Sequence, residues 1–427
     1  MPYRIAATDV HKRMLAVVVS DVEVAEEFEF ERRQFGTSPA QLRLLADWLV
    51  ERQVKEVVME STAQYWRPVW EALEQYWKPI CQKWEGASAA WGALHLAQAQ
   101  SNRGPRGRKD DFADAERLVK RLVASELILS LVPDPEQRLW RTVTRTKYQL
   151  RRNRVQLQNR LEALLEQAHL KLSSVVSDLL GVSAWRMLKG IADGETDPAV
   201  LAGMAEASLR ATPKELYDAL SPAQELHPVY RRLVKMALDE LQLIDQQISE
   251  LDQEMAGLLR RHQDQVQRLA EVPGLGVDSA QQIIAEVGAT AATFPSPGNL
   301  SSWVGACPGK EETAGVNHSR RSPKGNRHMR RLLNQAALAA VKQQGSIFQI
   351  LYRRYVPRMG HQQTIAVIAH RLCRLIWKIL HQGVRYQERG PDVTERSQRQ
   401  RTARMIRQLR RLGYRVELVS PPSPVPA

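Results

Sequence analysis

Four acidic residues in the first quarter of the chain have types and spacing that suit the binding of divalent metal ions. Asp9 follows a short apolar run, and Glu60 ends a β-branched run, so both stand at the ends of predicted strands. Asp111 and Asp114 are three residues apart, which places both carboxylates on one face of a predicted helix. Like charges at that spacing repel unless a cation lies between them.

Hard oxygen ligands of this kind suit Mg²⁺ or Mn²⁺. Two such ions about 3.5–4 Å apart can activate an attacking oxygen and stabilise a leaving oxygen on phosphorus. Taken singly, each carboxylate is more simply explained as a surface charge or a first-turn helix charge. The order of strand Asp, strand Glu and helical Asp-x-x-Asp is more restrictive and predicts metal ligation by Asp9, Glu60, Asp111 and Asp114. We interpret the neighbouring Asp110 as solvated.

The composition favours a nucleic-acid partner. The chain has 427 residues, enough for two or three domains, and a hydrophobic content of 43%, which is ordinary for a soluble globular protein. Its formal net charge is +14 and its sequence pI is about 9.8. A charge of this size favours a polyanion that is bound in a salt-sensitive way.

The cysteines and the hydropathy pattern bound the compartment. Cys81, Cys307 and Cys373 are widely separated, form no metal-ligand spacing and are too few for a disulfide framework. No stretch reaches the roughly 18 apolar residues of a membrane span, and the amino terminus has no long apolar core before a cleavage site. We therefore expect a cytoplasmic protein of a bacterium or archaeon, with reduced thiols and no membrane partner.

The first part of the chain is predicted to be α/β. Three strand-like runs followed by strand–helix alternation predict an RNase H-like layer over residues 1–130. The predicted strands are 3–8, 14–20, 25–31, 54–59 and 78–82, and the predicted helices are 37–52, 65–76, 87–98 and 111–124.

The second part is predicted to be all-α. Beyond a Pro-Asp-Pro linker, two amphipathic stretches at 136–170 and 229–262 predict an antiparallel coiled coil within residues 136–265. Residues 171–228 are predicted to form a helical insertion between them. A coiled coil of this kind spaces two domains or makes an oligomer contact, so we expect no chemistry there.

Residues 266–390 are predicted to form a helical domain, followed by a basic, partly disordered tail at 391–427. A Pro-Gly-apolar-Gly turn predicts a helix-hairpin-helix in which Gly274 and Gly276 let backbone N–H groups approach a phosphate. The same turn is also compatible with a tight connection between two helices.

A group of cations marks the start of another predicted helix in this domain. Cations at a helix amino terminus oppose the helix dipole, so local stability does not explain them. A phosphate backbone bound beside them would resolve the conflict. The predicted phosphate-binding residues are Lys324, Arg327, Arg330 and Arg331.

Short motifs occur in a fixed order over nearly the whole chain. They are Ala7-Thr8-Asp9-Val10-His11-Lys12, Met59-Glu60-Ser61-Thr62, Gly107-Arg108-Lys109-x-Asp111-x-x-Asp114-Ala115, Val272-Pro273-Gly274-Leu275-Gly276, Ser302-Trp303-Val304-Gly305-Ala306-Cys307-Pro308-Gly309 and Lys324-Gly325-Asn326 leading to Arg330-Arg331. Each motif is weak alone, but in this order they are specific. The chain thereby resembles the DEDD transposases of the insertion-sequence one-ten family, the bridge-RNA-guided recombinases.

The resemblance implies a RuvC-like nuclease domain that holds Mg²⁺ or Mn²⁺, a coiled coil and a carboxy-terminal transposase domain. It also implies donor and target DNA, a bridge RNA and a homo-oligomer, a dimer or a tetramer, as partners. In the family, a serine in a Glu-Ser-x-Gly-like element attacks a DNA phosphate and forms a covalent link. Metal held by the four acids of a facing subunit completes that composite site.

The matching element here reads Glu312-Thr313-Ala314-Gly315, so Thr313 stands where the family has serine. Three interpretations remain open: a threonine nucleophile, which we favour, a weakened or inactive copy, or attack by Ser319 or Ser322. The predicted function is excision and insertion of a mobile element by a DNA recombinase. The alternatives are a junction nuclease that uses the four acids and water, and a nucleic-acid-binding scaffold without catalysis.

Overall fold

The structure of the chain is a computed structural model with two compact units, Met1–Pro133 and Asp134–Ala427. For residues 311–313 and 316–319 it describes the backbone alone, and nearly all of the predicted basic tail, 391–427, lies outside the described residues. The described residues are 3–23, 28–60, 63–84, 91–99, 101–102, 110–309, 311–313, 316–319 and 322–388, with single positions 86, 88, 403, 406, 407 and 410.

A six-stranded mixed sheet forms the centre of the first unit. The strands are β1 (Arg4–Val10), β2 (Met14–Asp21), β3 (Glu31–Gly36), β4 (Val54–Glu60), β5 (Ala93–Ala97) and β6 (Leu129–Ser130). They lie in the order β3-β2-β1-β4-β5-β6. The pairs β3–β2 and β2–β1 are antiparallel, β1–β4 and β4–β5 are parallel, and β6 is antiparallel to β5.

Helices cover both faces of this sheet. They are α1 (Pro39–Glu51), α2 (Trp66–Ala72), a π-helical turn Leu73–Trp77, α3 (Lys78–Cys81) and α4 (Asp111–Val123). One face packs with α1 and the π-helical turn in a core that includes Trp48 and Trp77. On the other face, Ala7 and Val58 pack with Leu118 of α4. Since both faces are covered, β1 and β2 are buried along nearly their whole length, including the polar residues Thr8 and Asp9 of β1.

The mixed α/β unit is consistent with the predicted RNase H-like fold, but three predicted elements were wrong. Of the strand predicted at 25–31, residues 25–27 lie outside the described part of the chain and residues 28–30 are not in a strand. The strand β3 begins only at Glu31, and most of its residues are exposed. The strand predicted at 78–82 is helical, because α2 continues through the π-helical turn into α3. The helix predicted at 87–98 contains strand β5, which pairs with β4. Strand β6 was not predicted.

The second unit is helical in its described residues, apart from two short strands. The strands β7 (Glu311–Thr313) and β8 (Val316–Ser319) pair antiparallel. No helix in the described part of the chain has the length and apolar character needed to cross a membrane. The helices are α5 (Pro135–Gln167), α6 (Leu172–Val175), α7 (Val182–Asp193), α8 (Pro198–Gly203), α9 (Pro213–Leu220), α10 (Pro228–Leu258), α11 (Gln263–Ala270), α12 (Val277–Val287), α13 (Pro297–Val304), α14 (Arg327–Ala340) and α15 (Ile347–Gln382), with 3₁₀ turns at Ser221–Glu225 and Arg260–His262.

The long helices α5 and α10 pack side by side in the antiparallel sense that their apolar stripes predict. Arg154 binds Asp245 at 2.6 Å between Nε and Oδ1, and Lys147 binds Asp252. As the residue number rises along α5, the number of its partner falls along α10, so the helices run in opposite directions. Helices α6 to α9 lie between them in the chain and share their apolar core.

Candidate active site

The parallel pairing of β1 with β4 determines where two of the predicted acids stand. Ala7 lies opposite Val58 and Thr8 opposite Met59, so the next position in register sets Asp9 beside Glu60. Neighbouring strands are about 4.8 Å apart, which brings these two carboxylates close together. Because Asp9 follows Ala7 by two residues, its side chain emerges on the face of the sheet that α4 covers.

The other two predicted acids lie in the first turn of α4. Asp110 is the N-cap of this helix, and its side chain accepts a hydrogen bond from the backbone N–H of Phe112 at 3.0 Å. Asp110 is exposed, as predicted, and its carboxylate also caps the helix. Asp111 and Asp114 follow within the first turn, where negative charge is favoured by the helix dipole.

A group of three side chains converges between β1 and α4. The Nε2 atom of His11 lies 3.1 Å from Oδ2 of Asp9 and 3.1 Å from Oδ1 of Asp111. One ligand atom from each of the three residues lies within 4.8 Å of the others. Asp9 is only 7% exposed, whereas His11 and Asp111 are partly exposed. The group therefore opens towards solvent on one side.

The pKa of Asp9 shows that all four predicted acids lie close to one another. Burial raises the pKa of the Asp9 carboxyl, and His11 lowers it by its charge. The negative charges of Asp111, Glu60 and Asp114 raise the pKa further. Each of the three is thus close enough to disfavour ionisation of Asp9, which is the situation that a bound cation relieves.

Glu60 and Asp114 have polar partners of their own at the edge of this group. The side-chain amide of Asn102 donates to Oε2 of Glu60 at 2.9 Å. Arg117 donates to Oδ1 of Asp114 at 2.7 Å, and also to the backbone carbonyl of Asn102 at 3.4 Å. These contacts orient the two carboxylates that lie farther from His11.

The donor set fits a divalent cation. Oδ2 of Asp9, Nε2 of His11 and Oδ1 of Asn102 are buried and make no hydrogen bond to any residue that the structure describes. Buried polar atoms are normally hydrogen-bonded, so three unpaired ones in one place need a partner. Carboxylate and amide oxygens are ligands that Mg²⁺ and Mn²⁺ accept, and imidazole is a further ligand for transition metals.

Sequence reasoning missed His11, Asn102 and Arg117. The one sequence signal for His11 was its place two residues after Asp9. Its approach to Asp111 depends on the folded turn, in which the backbone N–H of His11 donates to the carbonyl of Met14 at 3.0 Å. Asn102 and Arg117 reach the site only through the fold. Nothing in their local sequence distinguishes them.

The predicted nucleophile lies in the second unit. Thr313 is the last residue of β7 and pairs with Val316 of β8. Ser319 ends β8, and the side chains of both residues lie outside the described atoms. Ser322 is exposed in the segment that leads into α14. Thr313 and Ser319 therefore stand on two paired strands, and Ser322 stands shortly before α14.

The predicted phosphate-binding cations lie at the start of α14. Two of them are exposed, and the other two contact groups within the protein. Lys324 and Arg327 are exposed. Arg330 donates to the carbonyl of Pro323 at 3.1 Å. The guanidinium of Arg331 stacks on Tyr148 at 4.2 Å and donates to Gln282 at 2.8 Å, so it also holds α14 against α5 and α12.

The start of α14 is tied to the core by a buried carboxylate. Glu286 of α12 is only 2% exposed and forms a bidentate ion pair with Arg145 of α5, both distances being 2.9 Å. It also accepts from the side chain of Asn326 at 2.8 Å. Asn326 is the N-cap of α14 and accepts from the backbone N–H groups of His328 and Met329. Glu286 thus fixes the residue at which the cationic helix begins.

The two glycines of the predicted helix-hairpin-helix have different surroundings. Gly274 has φ +85°, and a Cβ there would lie 2.2 Å from the carbonyl oxygen of Ala336 in α14. Gly276 is the exposed N-cap of α12, and a Cβ there would meet nothing within 4 Å. The close approach of α14 therefore explains why residue 274 is a glycine. At Gly276 no neighbouring atom fills the space beside the amino terminus of α12, which is exposed.

Comparisons with known proteins match both parts of the chain. Residues 6–170 match the family model of the DEDD transposases of IS110 elements, which is described as "Transposase". Residues 266–353 match a second family model, described as "Transposase IS116/IS110/IS902 family". No curated protein matches the chain. The first match covers the four acids and His11, and the second covers the strands β7 and β8 and the helix α14.

Proposed function

The chain belongs to the IS110 family of DEDD transposases, and we propose that it is a metal-dependent DNA recombinase that excises and inserts its own mobile element. The observation that best supports metal dependence is the group formed by Asp9, His11 and Asp111, with Glu60 and Asp114 near enough to raise the pKa of Asp9. The four acids of the DEDD pattern are the proposed metal ligands.

The bound divalent ion, Mg²⁺ or Mn²⁺, would supply Lewis-acid stabilisation of charge on the phosphate oxygens. The residues of the chain do the remaining work. Asp9 and Asp111 offer carboxylates from two different elements, so the site is held by both the sheet and α4. Asn102 and Arg117 keep Glu60 and Asp114 oriented towards it.

Thr313 is the proposed nucleophile. Its Oγ1 forms a bond to phosphorus, the bond from phosphorus to one deoxyribose oxygen breaks, and that oxygen leaves with a proton. The proton that the Thr313 hydroxyl loses is the one that the leaving deoxyribose oxygen gains, directly or through solvent. Attack by a deoxyribose hydroxyl on the phosphothreonine then reverses the step and rejoins DNA. The β-branch of threonine restricts χ1, which makes the step slower than with serine.

Nucleic acids and further copies of the chain are the proposed partners. Lys324, Arg327, Arg330 and Arg331 with the turn at Gly274 and Gly276 would hold phosphates of donor and target DNA. A bridge RNA as guide and a dimer or tetramer are proposed from the resemblance to the family. In such an assembly, the acids of one subunit serve the hydroxyl of another.

A second candidate function is a junction nuclease that uses the acids and water. The observation that favours it is Thr313 itself, because the family has serine at this position and a hindered hydroxyl leaves water as the alternative attacking group. In that case cleavage needs the acids but leaves no protein–DNA adduct.

A suicide DNA substrate incubated with the full chain and Mg²⁺, then resolved on a denaturing gel, separates these functions. We expect a protein–DNA adduct that forms only with metal present. Free nicked DNA without adduct would support the nuclease instead. Intact DNA, bound but uncut, would leave only a scaffold function.

A further inference from the structure

We infer that His11 is a direct ligand of the divalent ion and that its imidazole shifts the preference of the site from Mg²⁺ towards Mn²⁺. This inference rests on the proposed function, because it concerns the same site. It adds a nitrogen ligand to the four carboxylates of the DEDD pattern.

The first observation is the spacing of the three ligand atoms. Nε2 of His11 lies 3.1 Å from one oxygen of Asp9 and 3.1 Å from one oxygen of Asp111. In an octahedral site with bonds of about 2.1 Å, neighbouring ligand atoms stand about 3.0 Å apart. One shared ion therefore explains both distances. The three atoms come from β1, the turn after it and α4, so the fold and not local sequence brings them together.

The second observation is that these contacts do not have hydrogen-bond geometry. Asp9 is 7% exposed, yet its Oδ2 has no hydrogen-bond partner among the described residues, and the same is true of Nε2 of His11. An imidazolium that was present only to neutralise the carboxylates would donate its N–H to one of them. A metal ion instead accepts a lone pair from each of the three atoms.

The position of His11 also suits a ligand. It stands two residues beyond Asp9, just past the end of β1, and its ring lies against the Asp9 carboxylate. The backbone hydrogen bond from its N–H to Met14 fixes the turn. Its side chain is 34% exposed, which leaves the ring accessible to an ion from solvent.

A nitrogen ligand has a consequence for metal choice. Mg²⁺ is bound almost entirely by oxygen, whereas the later divalent transition ions accept imidazole. Mn²⁺ accepts both oxygen and imidazole ligands. A site with carboxylates and the His11 imidazole therefore favours Mn²⁺ over Mg²⁺ more strongly than a site with carboxylates alone.

The test is pulsed electron paramagnetic resonance of the full chain with MnCl₂ as the only added metal. We expect a ¹⁴N modulation from the bound Mn²⁺ in the wild type. In His11→Gln we expect this signal to vanish and Mn²⁺ affinity to fall by at least about tenfold, the lower range for loss of a supporting group. His11→Asp should bind Mn²⁺ without the ¹⁴N signal and should bind Mg²⁺ relatively better.

His95→Gln is the matched control. His95 also contacts a carboxylate on this sheet, with Nε2 2.7 Å from Oε2 of Glu56, but it is outside the group of Asp9, His11 and Asp111. It should keep the ¹⁴N signal and the Mn²⁺ affinity, and circular dichroism should show that all variants remain folded.

Two results would overturn the inference. Bound Mn²⁺ without ¹⁴N modulation in the wild type, or a modulation that persists in His11→Gln, excludes His11 as a ligand and leaves the proposed recombinase intact. Absence of bound Mn²⁺ in the wild type overturns both the inference and the metal dependence of the proposed function.

Discussion

At the scale of single residues, the acid group was largely predictable because strand ends and helical spacing restrict where carboxylates meet. The positions of Asp9 and Glu60 were predicted from the two apolar runs that they end. The shared helix face of Asp111 and Asp114 was predicted from their spacing of three residues. His11 was not predicted, because only the folded turn between β1 and β2 brings its ring to Asp111 on α4. Their metal-binding role stays a proposal that mutations can test.

Asp111→Asn should reduce strand cleavage by more than about a hundredfold, because loss of a ligand exceeds the 10–100-fold effect of losing a supporting group. The fold should be unchanged, since Asp111 is partly exposed. Cleavage of a labelled duplex under single-turnover conditions measures the effect.

Asp110→Asn is the matched control for this change. Asp110 is the exposed N-cap, and Asn is as good a cap as Asp, so both stability and cleavage should be retained. If Asp111→Asn and Asp110→Asn cleave DNA equally well, Asp111 is not a metal ligand.

At the scale of elements, the long helices were predictable and the edge strands were not. The apolar stripes of α5 and α10 extend over many turns, which makes their period unambiguous. Strand β5 is a short run of Ala, Leu and His that pairs with β4, so tertiary pairing overrides its helical composition. Strand β3 lies at the sheet edge, is mostly exposed and begins with three charged residues, so no apolar pattern marks it.

Gly274→Ala tests why the turn between α11 and α12 has a glycine. The new Cβ would lie 2.2 Å from a backbone oxygen of α14 at a positive φ, so we expect a loss of stability of more than about 2 kcal/mol. Gly276→Ala, with open space around the Cβ, should change stability by less than about 1 kcal/mol. Urea unfolding of the two variants compares them directly, and equal losses would show that the approach of α14 is not the reason.

The ion pairs of Glu286 make the stability of the fold depend on pH, and the direction of that dependence can be worked out. Burial alone would raise the pKa of Glu286, but its ion pairs with Arg145 and Arg141 and the Asn326 hydrogen bond lower it below the usual 4.5. The stabilisation is therefore fully present above the unfolded pKa and is lost as the pH falls through the lower folded value.

Glu286→Ala should destabilise the chain by about 3–5 kcal/mol at neutral pH, because it leaves buried cations unpaired. Below the folded pKa the difference between wild type and Glu286→Gln should shrink. Thermal unfolding across pH 3–7 measures both effects, and a difference independent of pH would contradict the ion-pair interpretation.

At the scale of the whole molecule, the net charge of +14 is the property that sequence alone defines best. It favours nucleic acid over other partners, but composition does not distinguish DNA from RNA. The boundary between the two units after Pro133 falls within the Pro-Asp-Pro linker, where composition changes. The finer division at 136–265, 266–390 and 391–427 stays a prediction.

Deletion of residues 393–427 should weaken nucleic-acid binding and flatten its salt dependence, because each lost phosphate contact lowers the slope of log affinity against log salt by about 0.9. Asp111→Asn, which leaves the tail intact, should keep the wild-type slope. A slope unchanged by the deletion would show that the tail does not contact the backbone. The arginines concerned are Arg396, Arg399, Arg401, Arg404, Arg407, Arg410, Arg411 and Arg415.

The most direct test of the proposed recombinase function is to identify the residue that is covalently linked to DNA. Peptide mass mapping of the adduct from the suicide substrate should find the DNA on Thr313. Thr313→Ala should eliminate the adduct without reducing DNA binding, and Thr313→Ser should form it as fast or faster, since it keeps the hydroxyl and removes the methyl. An adduct that survives in Thr313→Ala and maps to Ser319 or Ser322 would contradict the assignment, as would Asp9-dependent cleavage with no adduct in any variant.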